Sequence, residues 1–473
     1  MSSYLLLALH IVLATAVSSH IIITKSDVRS AIGWTGLVWL TPVIGSLLYF
    51  FLGINLVRRS ADRMRHERLG HTAERRARRL QDRGGTALVP EVWRPLATLT
   101  ARVSAEPLTQ GNRIEPLENG DAAYPAMVEA IAGAQQTIGF SSYIFDRGAA
   151  SAAFVDALEA AARRNVEVRV LLDSVGARYS RPTMIGELRH RGIRVAEFLP
   201  SPFPFSHPYF HLRNHRKILV IDGTVGFSGG MNVRDACVLA SDPPYPTRDV
   251  HFRIEGPVVR QLVDAFAADW RVTTGEELIG DGWCPDLAPR GEVLARGIAD
   301  GPDEANDALL LILQGALSEA RESVSIVTPY FLPEPPLLDA LRVTALRGVD
   351  VRILVPERGN LRLVTWAMQK QFARVVQGGC RVGLTRAPFD HSKLMVIDGM
   401  WSLVGSANWD PRSLRLNFEY VVECWSEPLA AKLQALIEEK ARGARWLSTA
   451  GLANRPMLER LRDGVAWLAQ PYL

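Results

Sequence analysis

The sequence has few cysteines and spaces them far apart. Cys237, Cys284, Cys380 and Cys424 are the only four, and no C-x-x-C occurs. That spacing excludes a cysteine zinc site or a dithiol redox motif and fits reduced, buried thiols. Charge is also missing where it would be informative. No Lys, Arg, Asp or Glu precedes Lys25, and residues 31–57 again hold none. The body lacks basic excess: residues 1–83 hold 12 Lys and Arg against 5 Asp and Glu, so of the total of +4 about −3 falls on residues 84–473. A nucleic-acid enzyme concentrates cations in its catalytic part, because binding releases counterions there. The cations here lie outside it, so no nucleic-acid partner is expected.

The two uncharged stretches, residues 4–24 and 31–57, are each long enough for a membrane helix, which needs roughly 20 residues. Lys25, Asp27 and Arg29 link them, and the second carries Trp34, Trp39, Tyr49 and Phe50. Ala14-Thr15-Ala16 has the form of a signal-peptide cleavage site, but no basic segment precedes it and a second apolar stretch follows at once. An uncleaved two-span hairpin over residues 1–57 is therefore expected. Ten arginines against four acids fill residues 58–83. The positive-inside rule puts that segment, and the catalytic body after it, on the cytoplasmic side of the inner membrane. The arginines also suit anionic head groups of the bilayer.

The rest of the chain is an internal repeat. Strand-like 166–172 parallels 349–355, and helix-like 152–164 and 336–347 precede them. Apolar strands at 137–145 and 323–331 come before those helices. Strand–helix–strand alternation implies an α/β fold with parallel pairing. The strongest match is H-x-K-x4-D-x6-G-[GS]-x-N, present twice. It runs through His215, Lys217, Asp222, Gly229, Gly230 and Asn232, then His391, Lys393, Asp398, Gly405, Ser406 and Asn408. Two copies in register imply a duplicated domain with one shared site. The expected division is 1–57 hairpin, 58–110 basic juxtamembrane linker, 111–290 first half, and 291–473 second half with C-terminal helices. The first copy carries 11 extra residues within 199–211, a Pro- and Phe-rich loop that either dips into lipid or packs rigidly. His207, His211 and His215 have metal-binding spacing for a helix, but Pro208 argues against a helix there, so no metal is expected. The C-terminal run 457–473 reads either as a packed terminal helix or as one pressed on a membrane.

In an extended segment residues i and i+2 share a face, so each histidine points the same way as its lysine. An ammonium beside an imidazole suits a phosphodiester: the lysine holds anionic oxygens while the ring attacks phosphorus. With two copies, one histidine serves as nucleophile and the other as acid for the leaving alkoxide. Asn232 and Asn408 add amide donors, and Ser406 a hydroxyl where copy one has Gly230. Asp222 and Asp398 belong to the catalytic motif, yet their odd spacing from the histidine places them on the opposite face, which implies a structural part.

At these residues the chain resembles the phospholipase D superfamily, and within it bacterial cardiolipin synthases. The likeness extends to Tyr143-Ile-Phe-Asp146, Arg213-Asn-His-Arg-Lys217, 248–257, 328–333 and 405–413. The resemblance implies that two phosphatidylglycerol molecules give cardiolipin and glycerol through a phosphatidyl-histidine, with no cofactor. It implies His215 as the nucleophile and a carboxylate behind each histidine, for which Glu419 and Asp249 stand in the matching places. A hydrolase taking water as acceptor and a superfamily nuclease are the competing readings.

Overall fold

The computed structural model describes residues 3–25, 27–41, 43–50, 85–104, 106–200, 212–302 and 307–470. The arginine run 58–83, residues 51–57, His207, His211 and nearly all of the Pro-Phe loop lie outside them. The chain divides into two units, Met1–Ser60 and Ala61–Leu473.

In the first unit the helix Ser3–Thr24 contains one window, Leu7–Thr24, long and apolar enough to cross a membrane. The second stretch does not form one long helix among the described residues. It is divided into Val28–Leu40 and Ile44–Leu48, with the break where the sequence has Pro42. A proline lacks the N–H that helix continuation needs. The pieces pack on the first helix through Trp39 Nε1–H to Ser18 Oγ (3.0 Å) and His20 Nδ1 with the Tyr49 hydroxyl (2.9 Å).

Among its described residues the second unit is built on one mixed sheet of sixteen strands and a separate sheet of two. The first half supplies β1 (Thr109–Glu118), β2 (Thr137–Ser142), β3 (Glu167–Asp173), β4 (Val195–Phe198), β5 (Arg213–Asn214), β6 (Ile218–Ile221), β7 (Val225–Gly229), β8 (Thr247–Arg248) and β9 (Val250–Glu255). The second half supplies β10 (Val293–Asp300), β11 (Ser323–Val327), β12 (Asp350–Pro356), β13 (Arg381–Thr385), β14 (Phe389–Asp390), β15 (Leu394–Ile397), β16 (Trp401–Gly405), β17 (Asn417–Trp425) and β18 (Arg445–Trp446). The expected parallel pairing holds for β2–β3 and β11–β12, and β4 and β13 extend each pair in parallel through a further crossover helix. The motif strands instead join antiparallel, β6 to β2 and β15 to β11. The two halves meet at the antiparallel pair β1–β10, which makes the sheet continuous.

The crossover helices Ala149–Arg163 and Pro335–Leu346 form because Ala and Leu dominate them and place apolar residues on one face. Phe154, Val155 and Leu158 fill the first core; Leu337, Leu338 and Leu341 fill the second. Residues 85–104, inside the stretch expected as a linker, are not free. Val89, Trp93, Leu96 and Ala97 are buried in the second half's core, and Thr100 donates to Glu423 at 3.2 Å. Their apolar spacing was hidden by the arginine-rich segment just before them.

Candidate active site

Each motif begins in a short strand, turns through the histidine and lysine, and enters the antiparallel hairpin that carries the motif's aspartate. Asp222 and Asp398 sit at the hairpin turns with φ of 50° and 48°, each followed by a glycine at φ 62°. Asp-Gly suits a turn with positive φ at both central positions. The Asp222 carboxylate accepts the backbone N–H groups of Gln135, Gln136 and Thr137 at 2.7–2.8 Å. Asp398 does the same for Arg321, Glu322 and Ser323 at 2.8–2.9 Å. Both therefore tie the hairpin to the start of a neighbouring strand. They correct the grouping of the aspartates with the reacting residues and agree with the opposite-face argument.

The histidines are held across the seam between halves. β5, just before His215, pairs in parallel with Asn417 and Phe418 of β17, and the His215 N–H donates to the Phe418 carbonyl at 2.9 Å. β14, just before His391, pairs in parallel with β8, and the His391 N–H donates to the Arg248 carbonyl at 2.7 Å. These pairings deliver each carboxylate to the histidine of the opposite half. His215 Nδ1 lies 3.0 Å from Glu419, and His391 Nδ1 lies 2.8 Å from Asp249. An Nδ1–H donated to a carboxylate fixes the tautomer and leaves the lone pair on Nε2. His215 is buried and His391 is part-buried, and desolvation lowers both pKa values. His391 is pushed down to about 4 by burial and then by the Lys393 charge, with Asp249 opposing.

Lys217 and Lys393 are also buried. Each donates to the carbonyl of the histidine two residues before it, Lys217 at 2.6 Å. Lys393 Nζ additionally lies 3.0 Å from His391 Nδ1. Desolvation brings Lys217 down to about 7 and Lys393 to about 8, with Glu419 and Asp249 opposing. Lys393 acts on His215 and Lys217 acts on His391, so the four groups share one electrostatic site.

Asn232 accepts the Ile144 N–H on its Oδ1 at 3.0 Å, which turns its amide NH2 the other way. Asn408 is buried, and its Oδ1 has no hydrogen-bond partner among the described residues. Ser406 does not present its hydroxyl to a substrate. It donates to Glu419 at 2.5 Å and accepts the Tyr420 N–H at 2.9 Å. At the matching place in copy one, a Cβ on Gly230 would lie 2.5 Å from an Asp249 oxygen. The serine–glycine difference thus concerns the grip on the carboxylate, since the shared position faces Glu419 in one copy and Asp249 in the other. Glu419 remains ionised: burial pushes its pKa up, but His215, Lys217 and Ser406 together bring it below the usual range.

Several neighbours escaped the motif argument. Asn214 and Asp390 each accept the N–H two residues on (3.1 and 2.9 Å), stiffening the backbone around the histidine. Asn214 is bonded by Asp269, which also pairs with the buried Arg216 at 2.8 Å; Asp390 pairs with Lys440 at 2.7 Å. Arg216 further donates to the Glu419 carbonyl at 2.9 Å, so the ion pair braces both halves. Tyr143 packs edge-on against His215 at 5.2 Å, and Tyr330 against His391 at 6.3 Å. Strand alternation would have placed Arg213 and Phe389 beside their histidines. The remaining partners come from distant segments.

Fold and site together define an enzyme that works on phosphodiesters with paired His-Lys motifs on a duplicated phospholipase-D-like scaffold. A family model described as "Cardiolipin synthase, PLD-like domain" matches residues 127–270 and 313–441, and one described as "Phospholipase_D-nuclease N-terminal" matches 12–53. A cardiolipin synthase of Geobacillus kaustophilus (strain HTA426) is 30% identical, over 93% of this chain and 88% of its own. Cardiolipin synthase A of Pseudomonas fluorescens (strain SBW25) is 30% identical over 100% of this chain and 98% of its own. The crystal structure of phosphatidylserine synthase from Haemophilus influenzae Rd KW20 shares the fold with TM-score 0.63 at 15% identity, over 80% of this chain and all of that one. The chain belongs to the cardiolipin synthase family of phospholipase-D-like proteins and is a phosphatidyltransferase.

Proposed function

We propose that the protein joins two phosphatidylglycerol molecules into cardiolipin and releases glycerol. The observation that carries this reading is the crossed pair of histidine–carboxylate couples with a lysine bonded to the carbonyl of each histidine. His215 Nε2 attacks the phosphorus of the first lipid. The phosphorus–oxygen bond to glycerol breaks, and His391 gives its proton to that oxygen. The entering phosphodiester anion and Asp249 both favour the His391 imidazolium, against the burial and the Lys393 charge that lower its pKa. The terminal hydroxyl of a second phosphatidylglycerol then returns a proton to His391 as its oxygen displaces His215 from phosphorus. Lys217, Lys393, Asn232 and Asn408 hold the non-bridging oxygens. Glu419 and Asp249 orient the rings, Ser406 steadies Glu419, and Asp222 and Asp398 hold the hairpins. No metal or nucleotide enters this scheme.

The same reading gives the chain a two-span hairpin at 1–57, a basic segment from 58, and two halves at 111–290 and 291–473. It places the protein in the inner membrane as a multi-pass protein with its body in the cytoplasm, supported by the arginine run. The test is to supply full-length protein with headgroup-labelled phosphatidylglycerol in membranes. Cardiolipin and one glycerol per cardiolipin are expected. Phosphatidic acid as the dominant lipid product would make the protein a hydrolase.

A further inference from the structure

The helix Met457–Leu468 has two faces of different character. Ala466 and Trp467 pack on the second half's core, and the Arg462 guanidinium lies over the Trp366 ring at 4.9 Å. Asp463 is buried beneath the helix and pairs with Arg455 at 2.6 Å and Arg462 at 2.9 Å. The helix is therefore fixed to the body. Its other face carries Met457, Leu458, Leu461, Val465 and Leu468, which are 83, 80, 62, 61 and 70% exposed. At about 100° per residue these five fall within an arc of roughly 100°. A row of large apolar side chains left in water on a well-anchored helix marks a contact surface, because soluble surfaces rarely keep such a patch open.

We propose that this face is a membrane-docking surface, which lays the His391 side of the active-site rim on the bilayer. Charge argues for lipid as the occupant. Residues 442–463 carry Arg442, Arg445, Arg455, Arg460 and Arg462 against Glu459 and Asp463. Part of that charge is matched, Arg455 by both acids and Arg445 by Glu357. The excess remains positive, which suits anionic lipid and repels a second copy of the same face. Position argues for it as well. Just past the helix, Gln470 Nε2 donates to the Leu332 carbonyl at 2.9 Å, two residues beyond Tyr330 at the site. The Tyr330 hydroxyl donates to Asn360 at 2.8 Å, and the next residues expose Leu361 and Leu363 by 50 and 44%. Exposed leucines thus stand beside the rim as well as on the helix. A second lipid would reach the cleft by sliding within the bilayer. The inference draws on the lipid substrate proposed above and on none of the histidine chemistry.

The test uses full-length protein in phosphatidylglycerol-containing vesicles, with half-buried Cys284 replaced by Ser. Leu461→Cys and Val465→Cys are labelled with a polarity-sensitive fluorophore. Leu346→Cys serves as control, since it ends a helix just before β12 starts, at the strand ends away from the site. Blue-shifted emission at 461 and 465, quenched at least twofold by brominated-chain lipids, is expected, with no quenching at 346. Water-like emission would overturn the proposal. So would a blue shift without bromolipid quenching, which means a protein partner or second copy covers the face. In mixed micelles, the Leu458→Asp/Leu461→Asp chain should raise the surface KM at least fivefold more than it lowers kcat. An unchanged KM would overturn the docking role. The quenching arm reads out even if phosphatidylglycerol yields no cardiolipin, so failure of the proposed reaction is separately visible.

Discussion

Removing the charge from Glu419 should disable His215, not the histidine of its own half. Glu419 is fully buried and is approached by His215 Nδ1 at 3.0 Å, Ser406 Oγ at 2.5 Å and Asn417 Nδ2 at 3.2 Å. Glu419→Gln keeps the volume but replaces a charge-assisted hydrogen bond by a neutral one, a difference of about 1–1.5 kcal/mol, or roughly tenfold in rate. An amide NH2 facing His215 would also favour the wrong tautomer; the analogous Asp-to-Asn change in a serine-protease triad costs about 10⁴-fold in kcat. The expected loss therefore lies between about 10-fold and 10⁴-fold. To separate the histidines, the assay uses a phosphatidyl ester of p-nitrophenol, whose leaving group needs no acid. In a His391→Ala chain, His215 can still attack and release a burst of nitrophenolate. Adding Glu419→Gln should slow that burst at least tenfold, while Asp249→Asn changes it less than about threefold because its histidine is already gone. If Asp249→Asn is the damaging change in that background, the crossed pairing is refuted. A burst seen only in the His215→Ala chain would move the nucleophile to His391 and invert the two expectations.

Four further outcomes follow from the same geometry. Replacing either His215 or His391 with Ala should abolish nearly all cardiolipin synthesis from phosphatidylglycerol, measured by lipid product analysis, since attack and protonation are both required. The free-enzyme kcat/KM should fall as pH rises, first as His391, whose pKa burial lowers, gives up the acid proton, and further through about 7 and 8, where Lys217 and Lys393 lose the charge that holds phosphate; on the acid side attack by His215 should outlast ordinary imidazole protonation, because burial lowers its pKa. Asp398→Asn should lower stability by about 1–3 kcal/mol in chemical denaturation while leaving kcat of the folded fraction within a few-fold. Arg216→Ala, which removes the buried guanidinium paired with Asp269 and bonded to the Glu419 carbonyl, should cost about 3–5 kcal/mol by the same measurement.

The repeat was legible because its signal is repetition. Two His-Lys-Asp-Asn runs in register imply a shared site without reference to any particular contact, and strand–helix–strand alternation implied the parallel pairs β2–β3 and β11–β12. The antiparallel entry of β6 and β15 was not legible, since an apolar run pairs equally well in either direction. Asp249 and Glu419 could be named only through the family resemblance. Their partners could not, because chain order sets Glu419 28 residues after His391 and says nothing of the seam that brings it to His215. Ser406 was expected to meet a substrate, and only the position of Glu419 shows where its hydroxyl goes. In the second uncharged stretch, length and apolarity gave no sign of the division into Val28–Leu40 and Ile44–Leu48. The Arg216–Asp269 brace was invisible for a further reason. It joins a motif's unconstrained middle position to a helix 53 residues away.

The crossing of the carboxylates changes how damage to this protein should be read. A substitution near Glu419 would be recorded, from its place in the chain, as an injury to the second copy, while the ring that loses its alignment belongs to the first. A lesion beside Asp249 would be misattributed in the opposite sense. Neither copy can accumulate changes in its β8–β9 or β17 region without being tested through its partner's chemistry, so duplication has not left a spare. The two halves are mutual hostages, and a mutational map of this chain becomes interpretable only after it is folded along the seam.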